Sequence, residues 1–357
     1  MKKRNEFIDF LRGGAILLVL WGHCLQGCNA DSFNIFQNWM FKIIYSFHMP
    51  LFMLISGYLF WNSRNKTLKD IVIRRIVTIG IPFLVWNTLL YFRKVVILRE
   101  ELSAMKYLQS IRYGIWFLQS IFIITIEVAI IIKITERINR KVLVFRNFFL
   151  ICAAVGNLFI DGIIGVHTAN LFVPFVVGYL YAERKFDGRW EINLNKLFLV
   201  WSGIVYIILF LFYQEWSFDY ISGVNPMTSK YKPYIQMGIN IYRWIIGIGG
   251  SIVFTEIMQL LYVKYRNLRF VKFVNRIGKE TLQIYVMQCF FLEGVISTVV
   301  TTVASKLGTN FLVYNMVCYN IFVTLGIAIL YAWMFDIILQ VLSKHKKVYK
   351  VFFGCSS

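Results

Sequence analysis

Charged residues are scarce in this chain, because Asp, Glu, Lys and Arg make up only 16% of its 357 residues. Soluble proteins average about 25%. Hydrophobic residues fill the difference at 58%, and aromatic residues alone reach 18%. Apolar runs recur along nearly the whole chain, which excludes a soluble domain carried by one anchor. We therefore expect an all-α integral membrane protein, a single bundle of about ten transmembrane helices.

Cysteine patterns that would indicate a metal centre or a disulfide scaffold are also missing. The six cysteines show neither paired ligand spacing nor the density of small disulfide-rich domains, so we expect no metal. The chain has no internal repeat, so the symmetry of many transporters is not visible. The first apolar run is followed by no small-residue cleavage site, and we expect it to be retained as a spanning helix.

Ten apolar runs define the expected spans. They are Ile8–Cys28, Phe41–Phe60, Ile71–Tyr91, Ile115–Ile134, Asn147–Gly165, Val166–Tyr181, Leu197–Tyr213, Ile235–Val263, Thr281–Thr301 and Phe311–Leu342. The fifth and sixth spans are short and are joined closely around Asp161 and His167. We expect one transmembrane domain over residues 1–343 and a basic cytoplasmic tail over residues 344–357.

Basic residues outnumber acidic ones, 38 to 18, which gives a net charge of +20. In a soluble protein this excess would point to nucleic acid. With the amino terminus in the cytoplasm, however, 28 of the 38 Lys and Arg residues fall in the two ends and in the loops on the same side. The positive-inside rule accounts for that asymmetry. We expect a multi-pass protein of a bacterial plasma membrane with both termini cytoplasmic, and no nucleic-acid partner.

The first apolar helix carries a polar stripe. Arg12 and His23 are eleven residues apart, which at 100° per residue leaves them about 20° apart around the axis. Three turns separate them by roughly 16 Å along the helix. Asp9, three residues before the arginine, lies on the same stripe and is expected to be its structural partner. A buried charge costs about 2.5–3.5 kcal/mol on insertion scales, which favours a functional role. The structural alternatives are a snorkelling anchor for Arg12 and a neutral imidazole bonded to a neighbouring helix for His23.

His48 is expected at a similar depth to His23, because the first two spans run in opposite directions and are joined by a short loop. A two-histidine site in the outer half of the membrane is therefore geometrically possible. Pro50 removes a backbone donor nearby and would leave a polar opening beside His48.

Arg74 and Arg75 lie at the inner start of the third span. Topology anchors and a cradle for phosphates are equally compatible with that position.

Arg243 lies in the outer third of the eighth span, without a charged neighbour in sequence. We expect it to need a partner such as Glu127, Glu293 or a substrate. Trp116 is predicted either to pack in the bundle or to stack on a sugar. The loop from Gln214 to Tyr234 is the largest external irregular segment and is a candidate cover for an outer opening.

The order of motifs along the chain resembles that of the acyltransferase family 3 membrane proteins. These motifs are Arg12-x10-His23, SFHMPLFMLISGYLF from Ser46, the basic entry to span three before Pro82, WFLQSIF from Trp116 and IGKETLQIYVMQ from Ile277. The FHMPLF variant is similar to the branch that resembles fucose 4-O-acetylases and other acetylases of surface polysaccharides. The resemblance implies a ten-helix bundle that transfers acetyl groups from cytoplasmic acetyl-CoA to glycan hydroxyls at the outer face. It also implies that Arg12 and His23 are the family's first-span arginine and histidine.

Two positions depart from the family pattern. Members often have spaced arginines at the start of the third helix, whereas Arg74 and Arg75 are adjacent here and Thr78 follows three residues later. Many members also end the last motif with histidine, where this chain has Gln288, which we interpret as a polar lining residue. No extracellular esterase domain is appended, so transfer is expected to finish within the bundle or at its mouth.

The resemblance implies a mechanism in which Arg12, Arg74 and Arg75 meet the phosphates of acetyl-CoA. His23 would then take the proton of the acceptor hydroxyl, or alternatively carry the acetyl group itself. A donor to the developing oxyanion would come from one of three alternatives, His48, Ser56 or Gln288. Two other functions remain open: a transporter or flippase for an anionic or glycan substrate, and a non-catalytic membrane scaffold or sensor.

Overall fold

The computed structural model describes residues 5–28, 32–97, 99–138, 142–160, 167–186, 196–291 and 319–354. All regular structure in these ranges is helical, which confirms the all-α class. The α-helices are α1 (Glu6–Cys28), α2 (Trp39–Phe60), α3 (Leu68–Arg75), α4 (Ile81–Ile97), α5 (Ala104–Tyr113), α6 (Trp116–Ile138), α7 (Val142–Ile160), α8 (Thr168–Phe186), α9 (Lys196–Leu211), α10 (Asp219–Ser222), α11 (Pro233–Tyr265), α12 (Arg269–Lys279), α13 (Thr281–Phe291), α14 (Leu325–Ser343) and α15 (Lys346–Phe353). A π-helical turn, Ile76–Gly80, joins α3 to α4.

Six helical stretches in the described ranges are long and apolar enough to cross a membrane. They are Glu6–Cys28, Trp39–Ser63, Trp116–Glu136, Leu143–Ile160, Pro233–Tyr265 and Ile321–Ser343. The expected count of about ten is not established by these six. One reason is that the expected third span is divided by the π turn into helices of 8 and 17 residues. The ends of the expected ninth and tenth spans, together with Asp161 and Glu293, lie outside the described residues.

The chain divides into two compact units. Unit 1 comprises Met1–His48, Leu194–Glu215 and Gly249–His345, and unit 2 comprises Met49–Asn193, Trp216–Ile248 and Lys346–Ser357. Helices α2 and α11 contribute residues to both units.

In unit 1, α1 packs most extensively against α12, and glycines permit the close approach. A Cβ atom added to Gly13 would overlap the carbonyl of Val274, and one added to Gly278 would overlap the carbonyl of Asp9. Two helix backbones are therefore in direct contact along this seam, which any larger residue would separate. At its other end α1 is held by Trp21, whose indole N–H donates to the Thr324 hydroxyl at 2.8 Å.

In unit 2, α2 and α8 also approach closely at a glycine, because a Cβ on Gly57 would overlap the carbonyl of Phe175. The residues after position 344, expected to form a basic tail, contain helix α15, which packs on α4. The indole N–H of Trp86 donates to the carbonyl of Phe352 at 2.9 Å.

Candidate active site

Arg12 is held in place from two sides within unit 1. Its Nη2 donates to the Thr281 hydroxyl at 2.6 Å, and its Nη1 lies 4.0 Å from the carboxylate of Asp9. The Asp9 side chain is 5% exposed, whereas the Arg12 side chain is 24% exposed. The guanidinium is therefore oriented by the protein and still accessible to an anion.

The short junction between α12 and α13 supplies Thr281, the hydrogen-bond partner that anchors Arg12. It belongs to the IGKETLQIYVMQ segment, in which Gly278 permits the contact with α1 and Thr281 accepts from Arg12. Between them, Glu280 is partly buried. Burial, together with the negative charge of Asp336, raises the pKa of Glu280 to about 6, although Arg276 and Lys279 act in the opposite direction. A carboxyl group next to the Arg12 anchor thus titrates close to neutral pH.

His23 lies three turns beyond Arg12 on the uninterrupted helix α1. Its side chain is partly exposed, and it forms no hydrogen bond with any residue that the structure describes. Whether His23 has a catalytic role or is a neutral imidazole bonded to a neighbouring helix therefore stays a prediction.

His48 is the second imidazole of unit 1 and is close enough to His23 for their charges to interact. Its Nδ1 lies 2.8 Å from the carbonyl of Ile44, which can only accept, so Nδ1 carries the proton and donates. In the neutral ring Nε2 then holds the lone pair. His48 is 6% exposed, and its ring packs on Tyr45 with centroids 4.7 Å apart. The neutral imidazole is thus set to accept a proton or an N–H at Nε2.

Gln288, on α13 in unit 1, is fully buried. Its Nε2 donates weakly to the sulfur of Cys289 at 3.2 Å, while its Oε1 has no partner among the described residues. A buried amide oxygen without a donor is costly. The role predicted for Gln288, a polar lining residue, stays a prediction.

Arg74 and Arg75 end α3 in unit 2, immediately before the π turn. Neither guanidinium forms a hydrogen bond or an ion pair with any part of the chain that the structure describes. Arg74 is exposed and Arg75 is partly buried. Two adjacent cations without an acidic partner repel each other, and an anionic ligand would relieve that repulsion.

Arg243 has partners that the sequence did not indicate. Its Nε donates to the carbonyl of Ser217, its Nη1 to the carbonyl of Gly223 and to Asn240, and its Nη2 to the carbonyl of Trp216 and the Ser222 hydroxyl. The expected acidic partner Glu127 instead accepts from Asn157 at 3.0 Å. Carbonyl dipoles of the loop from Gln214 to Tyr234 therefore satisfy this buried cation.

Trp116 lies beside a polar pair that sequence reasoning missed. Its ring meets that of His167 with centroids 4.7 Å apart, and His167 Nδ1 is 3.0 Å from the Asp219 carboxylate. Asn170 also donates to Asp219, at 3.2 Å. Burial opposes ionisation of Asp219, but the bond and charge of His167 and the charge of Arg243 outweigh it and hold the pKa of Asp219 well below its usual range. Only the position of Asp219 in the outer loop hinted at this cluster.

No group of three His, Cys, Asp or Glu side chains in the described ranges could hold a metal ion. The fold and these residues define an all-helical membrane protein with a cation and an imidazole on one helix. The sequence profile of the family described as Acyltransferase domain, acyltransferase family 3, matches residues 5–343, so the chain belongs to that family and is an acyltransferase.

Two curated relatives are nodulation proteins NolL. That of Mesorhizobium japonicum is 26% identical over 306 residues, covering 80% of this chain and 76% of the relative. That of Sinorhizobium fredii is 43% identical over 94 residues, 24% of each chain. No solved structure matches the chain.

Proposed function

We propose that the protein is a membrane O-acetyltransferase. It moves the acetyl group of cytoplasmic acetyl-CoA to a hydroxyl of a surface or exported polysaccharide, or of its lipid-linked precursor, in a bacterial plasma membrane. The main support is α1, one unbroken helix with an anchored, accessible arginine about 16 Å from an imidazole that forms no hydrogen bond with a described residue. The family match and the rhizobial relatives agree with this activity.

For the donor phosphates the predicted ligands are Arg12 in unit 1 and Arg74 and Arg75 in unit 2. The Arg12 side chain is 24% exposed, and neither Arg74 nor Arg75 pairs with a described residue. The span of about 16 Å along α1 is of the order that the pantetheine arm can reach. The thioester would then lie near His23 while the nucleotide stays at the cytoplasmic face.

In the transfer step, a ring nitrogen of His23 takes the proton of the acceptor hydroxyl as its oxygen attacks the thioester carbonyl carbon. The carbon–sulfur bond breaks, and the departing thiolate takes the proton back from the imidazolium. A histidine is suited to this exchange because its reference pKa is near 6.5. Transient acetylation of His23, with release to the acceptor in a second step, gives the same balance.

His48 would assist through Nε2, either orienting the ring of His23 or, once protonated, donating to the oxyanion. Gln288 would line the acceptor path through its unpartnered amide oxygen. Trp116 would offer its ring face to a sugar at the outer end of unit 2.

The test is the substitution His23→Ala, with His345→Ala as the matched control, because His345 is exposed and lies outside the apolar helices. We expect His23→Ala to reduce O-acetylation of the surface polysaccharide at least 100-fold, by loss of the base, with unchanged membrane level. Mass spectrometry of the isolated polysaccharide measures this. Normal acetylation in His23→Ala, or equal loss in His345→Ala, would overturn the proposal.

A further inference from the structure

The C-terminal helix α15 is firmly docked within unit 2. Tyr349 and Phe353, one turn apart, are 2% and 1% exposed. The ring of Phe353 stacks on Trp86 with centroids 5.9 Å apart, and the Trp86 indole bonds to the carbonyl of Phe352. One face of α15 is thus fixed to α4, which leaves the other face in a defined position.

The end of α15 lies against the π turn that follows Arg74 and Arg75. Gly354 has φ 70° and sits so close to the carbonyl of Val77 that a Cβ atom would overlap it. Val77 is only two residues after Arg75. The backbone carbonyl of Lys350 accepts the N–H of Gly354 at 2.8 Å, so Lys350 lies one helical turn from this contact. The contact itself is made within the π turn that directly follows Arg75.

The cations near this contact lack counter-charges among the described residues. Three exposed lysines lie on α15: Lys346, Lys347 and Lys350. None of these lysines pairs with a described residue, and neither does Arg74 or Arg75. Helices α4 and α15 contain no acidic residue. On α3 the one acid, Asp70, accepts from the Thr67 hydroxyl at 2.7 Å and caps the helix. Helix α6, which packs on α3, carries Glu136, and its carboxylate pairs with Lys133 at 2.9 Å. Two distant parts of the chain thus present exposed positive charge near one contact.

We propose that α15 completes the donor site, with Lys350 binding the 3′-phosphate of the adenosine end of acetyl-CoA beside Arg74 and Arg75. This inference rests on the proposed function. Arg75 is partly buried at the start of an apolar helix, whereas Lys350 is exposed. The arginines therefore bind the pyrophosphate, which is nearer the thioester. The lysine binds the 3′-phosphate, which is at the far end of acetyl-CoA.

Anionic lipid headgroups carry the same phosphate chemistry and are the competing ligand. The exposed Val348 and Val351 on α15 would suit a membrane surface. Binding of a headgroup, however, does not depend on whether the acyl donor carries a 3′-phosphate. The experiment therefore varies the donor and the lipid separately.

The experiment compares acetyl-CoA with acetyl-dephospho-CoA, which lacks only the 3′-phosphate, on the full-length protein in nanodiscs. For Lys350→Ala we expect KM for acetyl-CoA to rise about fivefold to tenfold with kcat unchanged. KM for acetyl-dephospho-CoA should be equal in the variant and the wild type. Lys350→Arg should restore KM for acetyl-CoA, because it retains the charge.

The matched control is Lys272→Ala, an exposed lysine on α12 in unit 1, which should leave both KM values unchanged. An unchanged KM for acetyl-CoA in Lys350→Ala would overturn the inference. So would an equal rise for both donors, or an effect seen in phosphatidylglycerol nanodiscs and absent in phosphatidylcholine nanodiscs, since these indicate general charge or lipid binding.

Calorimetric titration with adenosine 3′,5′-bisphosphate separates this inference from the proposed function. Binding that is weakened by Lys350→Ala, without any acetyl transfer by the wild type, would support the donor-site inference and contradict the proposed function. If the wild type transfers acetyl groups and Lys350→Ala leaves bisphosphate binding unchanged, the proposed function is supported and the donor-site inference is contradicted.

Discussion

At the scale of single residues, the arginines of this protein differ in what satisfies their charge. Arg243 has all its N–H groups directed at protein acceptors, mostly carbonyls of the outer loop. Its predicted contact with substrate is therefore better explained as an indirect one, through the loop it holds. Arg12 is oriented by Thr281 but remains accessible, and Arg75 has no described counter-charge. Arg12 and Arg75 thus differ from Arg243, because their side chains are partly exposed.

Glu280 offers a pH-dependent test of the Arg12 anchor. Its pKa is raised to about 6 in the folded protein, so its contribution to stability is greatest below about pH 4 and is lost as pH rises through 6. At pH 7.5 the free energy of unfolding of Glu280→Gln should therefore exceed that of the wild type by about 1 kcal/mol after allowing for solvent screening, and its unfolding temperature should be higher. The difference should vanish near pH 4. Thermal unfolding in detergent at both pH values measures it, and a pH-independent difference would contradict the assignment.

At the scale of helices, the candidate site depends on a seam of glycines between α1 and α12. The seam lets the junction before α13 reach Arg12, because the backbones at Gly13 and Gly278 touch the facing helix. The sequence shows these glycines but not their partners, since a close approach between residues 265 positions apart leaves no local pattern.

Gly278→Ala should force the two helices apart, because its Cβ would overlap the Asp9 carbonyl. We expect a loss of about 1–3 kcal/mol in stability and a larger KM for acetyl-CoA as the Arg12–Thr281 bond lengthens. The matched control is Gly326→Ala on α14, where a Cβ would meet no atom of the described residues within 4 Å. That variant should be neutral or slightly stabilised. Unfolding curves measure the stability of both variants, and donor kinetics measure KM for acetyl-CoA. Equal stability and equal KM in the two variants would contradict the role of the glycine seam.

At the scale of the whole molecule, the sequence was most informative where a single helix carries the signal. The all-α class follows from apolar runs, and the Arg12–His23 stripe from helical spacing alone. Contacts between distant segments could not be predicted, among them the His167–Asp219 pair, the loop carbonyls around Arg243 and the docking of α15. These depend on which helices meet, and the apolar faces of most helices here are equally suited to several neighbours.

We propose that the donor binds at the cytoplasmic face and the acceptor at the other. Sealed inside-out and right-side-out vesicles from cells that make the protein test it with radiolabelled acetyl-CoA, which does not cross the bilayer. The account predicts alkali-labile label on the polysaccharide only in inside-out vesicles, or in right-side-out vesicles after permeabilisation, and none with His23→Ala. Equal labelling of both sealed preparations, or labelling that persists without His23, would contradict it.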